Sequence, residues 1–206
     1  MEKIYRRKAG WFVAMVGAVA LSTVLGGCVP IVVGGAAVGA TVAAQERSVS
    51  DAVEDSIIQT EVGRALFEFN VDVFQKVDIE VVEGKVLLTG LVPDPQNRVD
   101  AARLAWQTDG VREVINELEV SDNSTIANAA RDSWISTKLR ARLITDGDIY
   151  SINYTIDTVN GSVYLMGIAQ DQAEMDRVIN HARDIDYVRS VVSHVRVMAP
   201  AQPGGS

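Results

Sequence analysis

The chain repeats itself. A window from Asp55 to Val120 aligns without a gap on a window from Asp132 to Val197, an offset of 77 residues. Asp55-Ser56-Ile57-Ile58 matches Asp132-Ser133-Trp134-Ile135, and Leu66 matches Leu143. Val82-Glu83-Gly84-Lys85-Val86-Leu87-Leu88-Thr89-Gly90 matches Val159-Asn160-Gly161-Ser162-Val163-Tyr164-Leu165-Met166-Gly167. Val111-Arg112-Glu113-Val114 matches Val188-Arg189-Ser190-Val191. Collinear matches over such a length do not arise by chance, so whatever one copy folds into, the other must fold into as well.

Each copy reads as helix, strand, strand, helix, strand. Ile58, Val62 and Leu66 recur at helical spacing, as do Ile135, Leu139 and Leu143. Val77, Ile79 and Val81, then Val86 and Leu88, alternate as half-buried strands. Glu83-Gly84 and Asn160-Gly161 between the strands predict two-residue hairpins, because the turn needs positive φ at both central residues. Gly90 and Gly167 are expected to end a strand. The second helix of repeat one opens at Asp94 with Pro95 behind it, a side-chain cap followed by a proline at the first helical position. Its counterpart opens at Asp171 with Glu174 three residues on, a capping-box spacing. Ala101, Leu104 and Ala105 face inward, as do Val178 and Ala182. A last strand through Val114, Leu118 and Val120, or Val191, Val195 and Val197, closes each copy.

The N-terminus has the layout of an export signal. Lys3, Arg6, Arg7 and Lys8 precede an apolar run from Trp11 to Leu25, too short for a spanning helix. Leu25-Gly26-Gly27-Cys28 follows and holds the chain's one cysteine. It resembles a bacterial lipobox, which implies lipidation of Cys28. A cleaved signal followed by an ordinary cysteine is the other reading. Without residues 1–27, which hold four bases and one acid, the balance is 15 bases to 26 acids, a net charge of −11. That argues against nucleic-acid binding, which needs a basic footprint. One cysteine allows no internal disulfide, so the fold must rest on its cores. Acyl chains on Cys28 would hold the chain on a bilayer, since each buried methylene contributes about 0.8 kcal/mol. Residues 28–50 read as a lipidated start and an apolar Gly/Ala tether, with small residues Gly35 and Gly39 four apart, a spacing that also suits helix association.

The αββαβ order, the Gly-x-Val-x-Leu-x-Gly core and the late Val-x-x-Val resemble the BON domain. Two such units behind a lipobox are similar to the dual-BON outer-membrane lipoproteins of Gram-negative bacteria. The fold implied is α+β: two tandem BON-like αββαβ units, each a small mixed three-stranded sheet packed on two helices. Residues 1–27 are then the lipoprotein signal, 51–121 the first BON domain, 122–130 a linker, 131–198 the second BON domain and 199–206 a disordered tail. The resemblance implies envelope maintenance, binding of anionic phospholipid, and no catalysis. Val29 after Cys28, where enteric inner-membrane lipoproteins tend to carry aspartate, implies sorting to the outer membrane, facing the periplasm.

Catalytic chemistry is not apparent. His181 and His194 have Leu104 and Glu117 as counterparts, so neither belongs to a repeated site. No metal-ligand spacing, nucleophile with base, or phosphate loop stands out. No cofactor is expected. Glu80 and Glu83 read as solvated strand and turn positions, and Trp106 as a packing residue.

The copies differ in charge. Residues 55–120 carry six bases and thirteen acids, and residues 132–197 seven bases and nine acids. The contrast concentrates on the first helix. Residues 131–145 hold Arg131, Lys138, Arg140 and Arg142 against Asp132 alone. Trp134, Lys138, Ala141 and Thr145 share a stripe opposite Ile135, Leu139 and Leu143, with Arg142 flanking it. Tryptophan favours headgroups, and each cation near an anionic leaflet contributes about 1 kcal/mol. These five residues therefore form the candidate phospholipid-binding face. The resemblance places the family's lipid contact on this helix. A rival reading packs Trp134 against repeat one. The alternative function is a protein-interaction scaffold for the outer-membrane assembly machinery, through the acidic first repeat.

Overall fold

The computed structural model describes residues 49–121 and 125–199, and both repeats belong to one compact unit. Cys28, the export signal, nearly all of the tether, part of the linker, and the tail beyond residue 199 lie outside the described residues.

Repeat one runs through α1 (Val49–Phe69), α2 (Val71–Phe74), β1 (Val77–Val82), β2 (Lys85–Val92), α3 (Pro95–Trp106), β3 (Glu113–Asn116) and β4 (Glu119–Val120). Repeat two runs through α4 (Ile126–Thr145), a 3₁₀ turn (Ser151–Asn153), β5 (Tyr154–Val159), β6 (Ser162–Ala169), α5 (Gln172–Arg183) and β7 (Ser190–Val197). This is the α+β architecture of two BON-like units, each a mixed sheet on helices. β1 pairs antiparallel with β2, and β3 and β4 pair parallel with it. β5, β6 and β7 do the same, in a register that also shifts by 77: Val77 opposes Gly90, and Tyr154 opposes Gly167. α4 starts at Ile126, capped by Thr125, inside the stretch read as linker.

The last strand of repeat one is in two pieces. Leu118 N–H donates to the Asn116 side chain, whose amide in turn donates to the Arg98 carbonyl. In repeat two Ser193 stands in place of Asn116 and its hydroxyl accepts the Val195 N–H at 3.4 Å, and β7 is continuous.

Both hairpins turn as predicted. Glu83 and Gly84 have φ of 54° and 72°, and Asn160 and Gly161 have 49° and 77°. Each turn is held from beneath by the aspartate that opens its repeat. Asp55 accepts the Glu83 and Gly84 N–H groups at 2.9 and 2.8 Å, and Asp132 accepts those of Asn160 and Gly161 at 2.8 Å each. Gly90 and Gly167 do not end their strands but lie inside them, with φ of 124° and 147°. A Cβ there would sit 2.0 Å from the Lys76 or Asn153 carbonyl oxygen, so the strand passes the preceding loop at a distance only glycine permits.

Asp94 and Asp171 cap α3 and α5 as expected. The capping box at Asp171 is only half made. The buried Glu174 accepts from the N–H groups of Gln170 and Tyr150 instead of that of Asp171, so it ties the preceding loop to the helix.

The central strands β2 and β6, expected from alternation to be half-buried, are buried on both faces, whereas the edge strand β1 exposes Asp78. Val86, Leu88 and Val92 face the helices of repeat one with Ile58, Val62 and Leu66. Val163, Leu165 and Ala169 do so with Ile135, Leu139 and Leu143. The intervening residues, Leu87 and Val82 of repeat one and Val159, Tyr164, Met166 and Ile168 of repeat two, form a third core between the sheets. The sheets therefore pack back to back, with helices on the outside. That core and the acids Glu119, Glu117 and Asp157 push the Tyr164 phenol up to about 12, burial being the larger cause. Glu83, expected to be solvated, instead takes a two-pronged bond from Arg196 of the other repeat at 2.6 and 2.8 Å.

Candidate functional site

The packing of α4 explains what its outer face can do. Ile135, Leu139 and Leu143 are fully buried, and the adjacent Ser136 hydroxyl meets Thr158 at 2.8 Å. That fixes the rotation of the helix and turns Trp134 and Lys138 outward. Trp134 keeps 40% of its surface exposed. Its ring meets Tyr187 edge to face at 6.1 Å, and Lys138 Nζ lies 4.8 Å above it. The Arg131 guanidinium lies 5.2 Å over the Tyr187 ring. Two aromatic rings and two cations thus interleave on one surface, with each cation over a ring face. A pocket of about 290 Å³ beside them is lined by Arg131, Tyr187 and Arg189 together with Asn128, Asn160, Gly161 and Asp132, whose carboxylate is taken by the hairpin N–H groups.

Tyr187 lies outside the five residues that the helical spacing marks. It is 66% exposed and has φ of 70°, a left-handed conformation that costs a tyrosine about 1 to 2 kcal/mol. The counterpart in repeat one is Gly110, at φ 87°. Repeat two thus keeps a strained aromatic where repeat one uses the residue that fits without strain. The sequence carried a signal: Tyr187 replaces the glycine of an otherwise matching Asp-x-Val-Arg segment. The other counterparts differ in the same sense. Arg131, Trp134 and Lys138 correspond to Glu54, Ile57 and Glu61.

The remaining candidates divide. Ala141 is exposed on the same helix. Arg142 is committed elsewhere: its guanidinium donates to the carbonyls of His181 and Asp184, at the C-terminal end of α5, at 3.0 and 3.3 Å. That end carries the negative pole of the helix and its unpaired carbonyls. The Thr145 hydroxyl turns back onto the Ala141 and Arg142 carbonyls. Trp134 and Lys138 therefore join Arg131 and Tyr187, while Arg142 and Thr145 finish helix ends. Trp106, expected to pack, is 54% exposed at the end of α3.

Both histidines have acidic partners. His181 Nε2 lies 2.8 Å from Asp146, and His194 Nε2 lies 3.0 Å from Glu117. Among the described residues no group of three or more His, Cys, Asp or Glu side chains is placed to hold a metal ion. Among them, too, no helix is long and apolar enough to cross a membrane.

The BON domain family model matches residues 54–122 and 131–199, and the chain belongs to that family. It is a dual-BON protein similar to the outer membrane lipoprotein DolP of Haemophilus influenzae, at 34% identity over 72% of this chain and 78% of that protein. An Anaplasma centrale protein described as "Uncharacterized protein in gshII 5'region" is 42% identical over 70% of this chain and 95% of its own length. The osmotically-inducible protein Y of Escherichia coli is 26% identical over 77% and 80%.

Proposed function

We propose that this protein is a lipid-anchored envelope-integrity protein of the outer membrane, facing the periplasm, whose second BON domain docks on anionic phospholipid. Cys28 carries the anchor. Arg131, Trp134, Lys138 and Tyr187 make the contact, with Ala141 close enough to the helix surface to let headgroups approach. The observation that carries the reading is the exchange between repeats. At four matched positions Glu54, Ile57, Glu61 and Gly110 become Arg131, Trp134, Lys138 and Tyr187, and the last does so at a cost in backbone strain. The naming of the Haemophilus relative as an outer membrane lipoprotein supports the address. Cation and indole together supply a few kcal/mol, at about 1 kcal/mol per cation. That is weak in solution but sufficient once a tether raises the local concentration.

Co-sedimentation of residues 28–206 bearing Cys28→Ser with vesicles tests the docking. Binding should rise with the anionic lipid fraction, fall with salt over a Debye length of about 8 Å, and be lost in Trp134→Glu. Indifference to lipid charge, or full binding by Trp134→Glu, overturns it. Labelled palmitate incorporation that survives Cys28→Ser would overturn the anchor. A second reading, a scaffold for the outer-membrane assembly machinery, is favoured by α1, which holds five acids and one base. In-cell crosslinking from repeat one that depends on lipid composition would count against it.

A further inference from the structure

The repeats differ at a second place, on the opposite helix. α1 and β1 enclose an open groove of about 650 Å³, walled by Phe67 and Phe74 and floored by Gly63 and Ile79. The two rings meet edge to face at 5.6 Å, and Phe67 is 52% exposed. In repeat two the same place is closed. Arg140, the counterpart of Gly63, lays its side chain across it and donates to the Ile156 carbonyl at 2.9 Å. Ile156 is the counterpart of Ile79, whose own carbonyl accepts from Gln59, one turn earlier on the helix than Gly63, at 2.6 Å.

The groove runs beside a sheet edge. β1 pairs only with β2 within its sheet. A two-residue hairpin closes on a hydrogen-bonded pair, here Val82 with Lys85, so Glu80 and Asp78 bond to β2. The backbone groups of Val77, Ile79 and Val81 then point to the groove side. Gln59 confirms this for Ile79. The rim carries more acid than base: Asp78 and Glu80 line it, partial burial and the Asp157 charge raising the pKa of the Asp78 carboxyl, and the one cation in its lining, Arg64, is shared between the flanking Glu61 at 2.6 Å and Glu68 at 2.9 Å.

We propose that this groove takes an extended polypeptide segment with alternating apolar and basic side chains, added along β1 as a further strand. Its backbone meets the edge of β1, its apolar side chains pack against the exposed faces of Phe67 and Phe74, and its bases meet the acidic rim. Charge complementarity selects this occupant over an anionic lipid surface. The proposal does not depend on the phospholipid face, which lies on α4.

Gly63→Arg is the informative variant, because it rebuilds the closed arrangement of repeat two. It should fold: a Cβ on Gly63 meets Phe74 and Ile79 at 3.6 and 3.7 Å, ordinary contact, and glycine is a poor helix former. The probe is an array of random peptides about ten residues long, read with residues 28–206 bearing Cys28→Ser. The expected result is enrichment of alternating basic and apolar peptides, with the best of them bound at least about tenfold more weakly by Gly63→Arg and by Phe67→Glu. Vesicle binding should be unchanged in both variants. Equal enrichment on wild type and Gly63→Arg overturns the proposal. So does selection of acidic peptides, or of uncharged ones like the tether at residues 29–44. Self-association abolished by Gly63→Arg would assign the groove to a second copy, and loss of vesicle binding would assign it to lipid; either outcome overturns the peptide.

Discussion

His194 and Glu117 occupy the same position in their respective repeats, 77 residues apart, and they meet each other at 3.0 Å. Two equivalent positions can touch only if they lie on the axis that exchanges the copies. The other inter-repeat bonds obey the same axis. Arg196 bonds Glu83, and the counterparts of those two residues, Glu119 and Asn160, bond each other at 3.0 Å. Val82 and Val159 share the central core, as do Leu87 and Tyr164. The two BON domains therefore pack as an internal two-fold pair, in the isologous manner of a symmetric dimer. Divergence has made one side of each symmetric contact basic or neutral and left the other acidic. It removes the clash of two acids that an exact repeat would bring together at 117 and 194.

Because the axis passes between them, those two residues can be exchanged. His194→Glu should destabilise the protein by about 1 to 2 kcal/mol, since a partly buried like-charge pair replaces a complementary one. Glu117→His combined with His194→Glu should recover most of that loss. Urea denaturation at neutral pH measures both. A double variant as weak as His194→Glu alone would show that the axis does not relate the two environments.

The aspartates beneath the hairpins should matter more than any surface ion pair. Asp55→Ala leaves two N–H groups without their acceptor at a site where Asp55 is 4% exposed. A loss of about 3 kcal/mol is expected, from 1 to 3 kcal/mol for each abandoned donor. Asp55→Asn keeps one acceptor oxygen and should lose about half as much. Asp132→Ala should behave like Asp55→Ala. Equal, negligible effects of the alanine and asparagine variants on the urea midpoint would contradict the clamp.

Gly90 and Gly167 predict a harsher outcome. An alanine there brings Cβ to 2.0 Å from a backbone oxygen and adopts a φ reserved for glycine. Either substitution should cost about 3 kcal/mol or more, whereas Gly147→Ala, with nothing within 4 Å of its Cβ, should be close to neutral. Soluble yield and thermal midpoint of the three variants read this directly.

Much of this was legible beforehand. The duplication, the helix faces, the turns and the caps all appear as local patterns, because each is decided by residues within a few positions of one another. Contacts between the copies were not legible. Leu87-Leu88 and Tyr164-Leu165-Met166 break the alternation and mark strands buried on both faces, but nothing local says that the second face meets the other repeat. Asp55 and Asp132 were visible only as repeated letters, since their partners lie 28 and 29 residues on. Trp134 and Lys138 were readable from helical spacing. The bonds of Arg142 were not legible, because the carbonyls that hold it lie at the end of α5, about 40 residues away in sequence.

Acid should weaken repeat two at one identifiable place. The His181 hydrogen bond, helped by the Asp148 N–H and the Arg177 charge, holds the Asp146 carboxyl below the usual carboxylate range. A carboxyl depressed in the folded state stabilises the fold above its unfolded value, near 3.9, and that contribution disappears as pH falls through the folded value. Asp146→Asn should therefore flatten the decline of thermal midpoint below about pH 4 while lowering it at neutral pH. An acid limb identical to that of the parent would show that Asp146 carries none of it.

Tyr187 separates stability from docking. Its left-handed backbone is strained for any side chain and unstrained for glycine, so the alanine and glycine variants should differ in a fixed direction. Tyr187→Ala keeps the strain and loses the edge-to-face contact with Trp134, about 0.5 to 1.5 kcal/mol. Tyr187→Gly loses the same contact but sheds the strain, and should be the more stable of the two by about 1 kcal/mol. Both lose the ring beneath Arg131, so both should bind anionic vesicles more weakly than the parent, and to the same extent. A tyrosine kept only for packing would show the same glycine–alanine difference but leave both variants unimpaired on vesicles. The glycine-minus-alanine difference measures the strain at this position, and the two binding curves decide whether the ring that imposes it is retained for the membrane face.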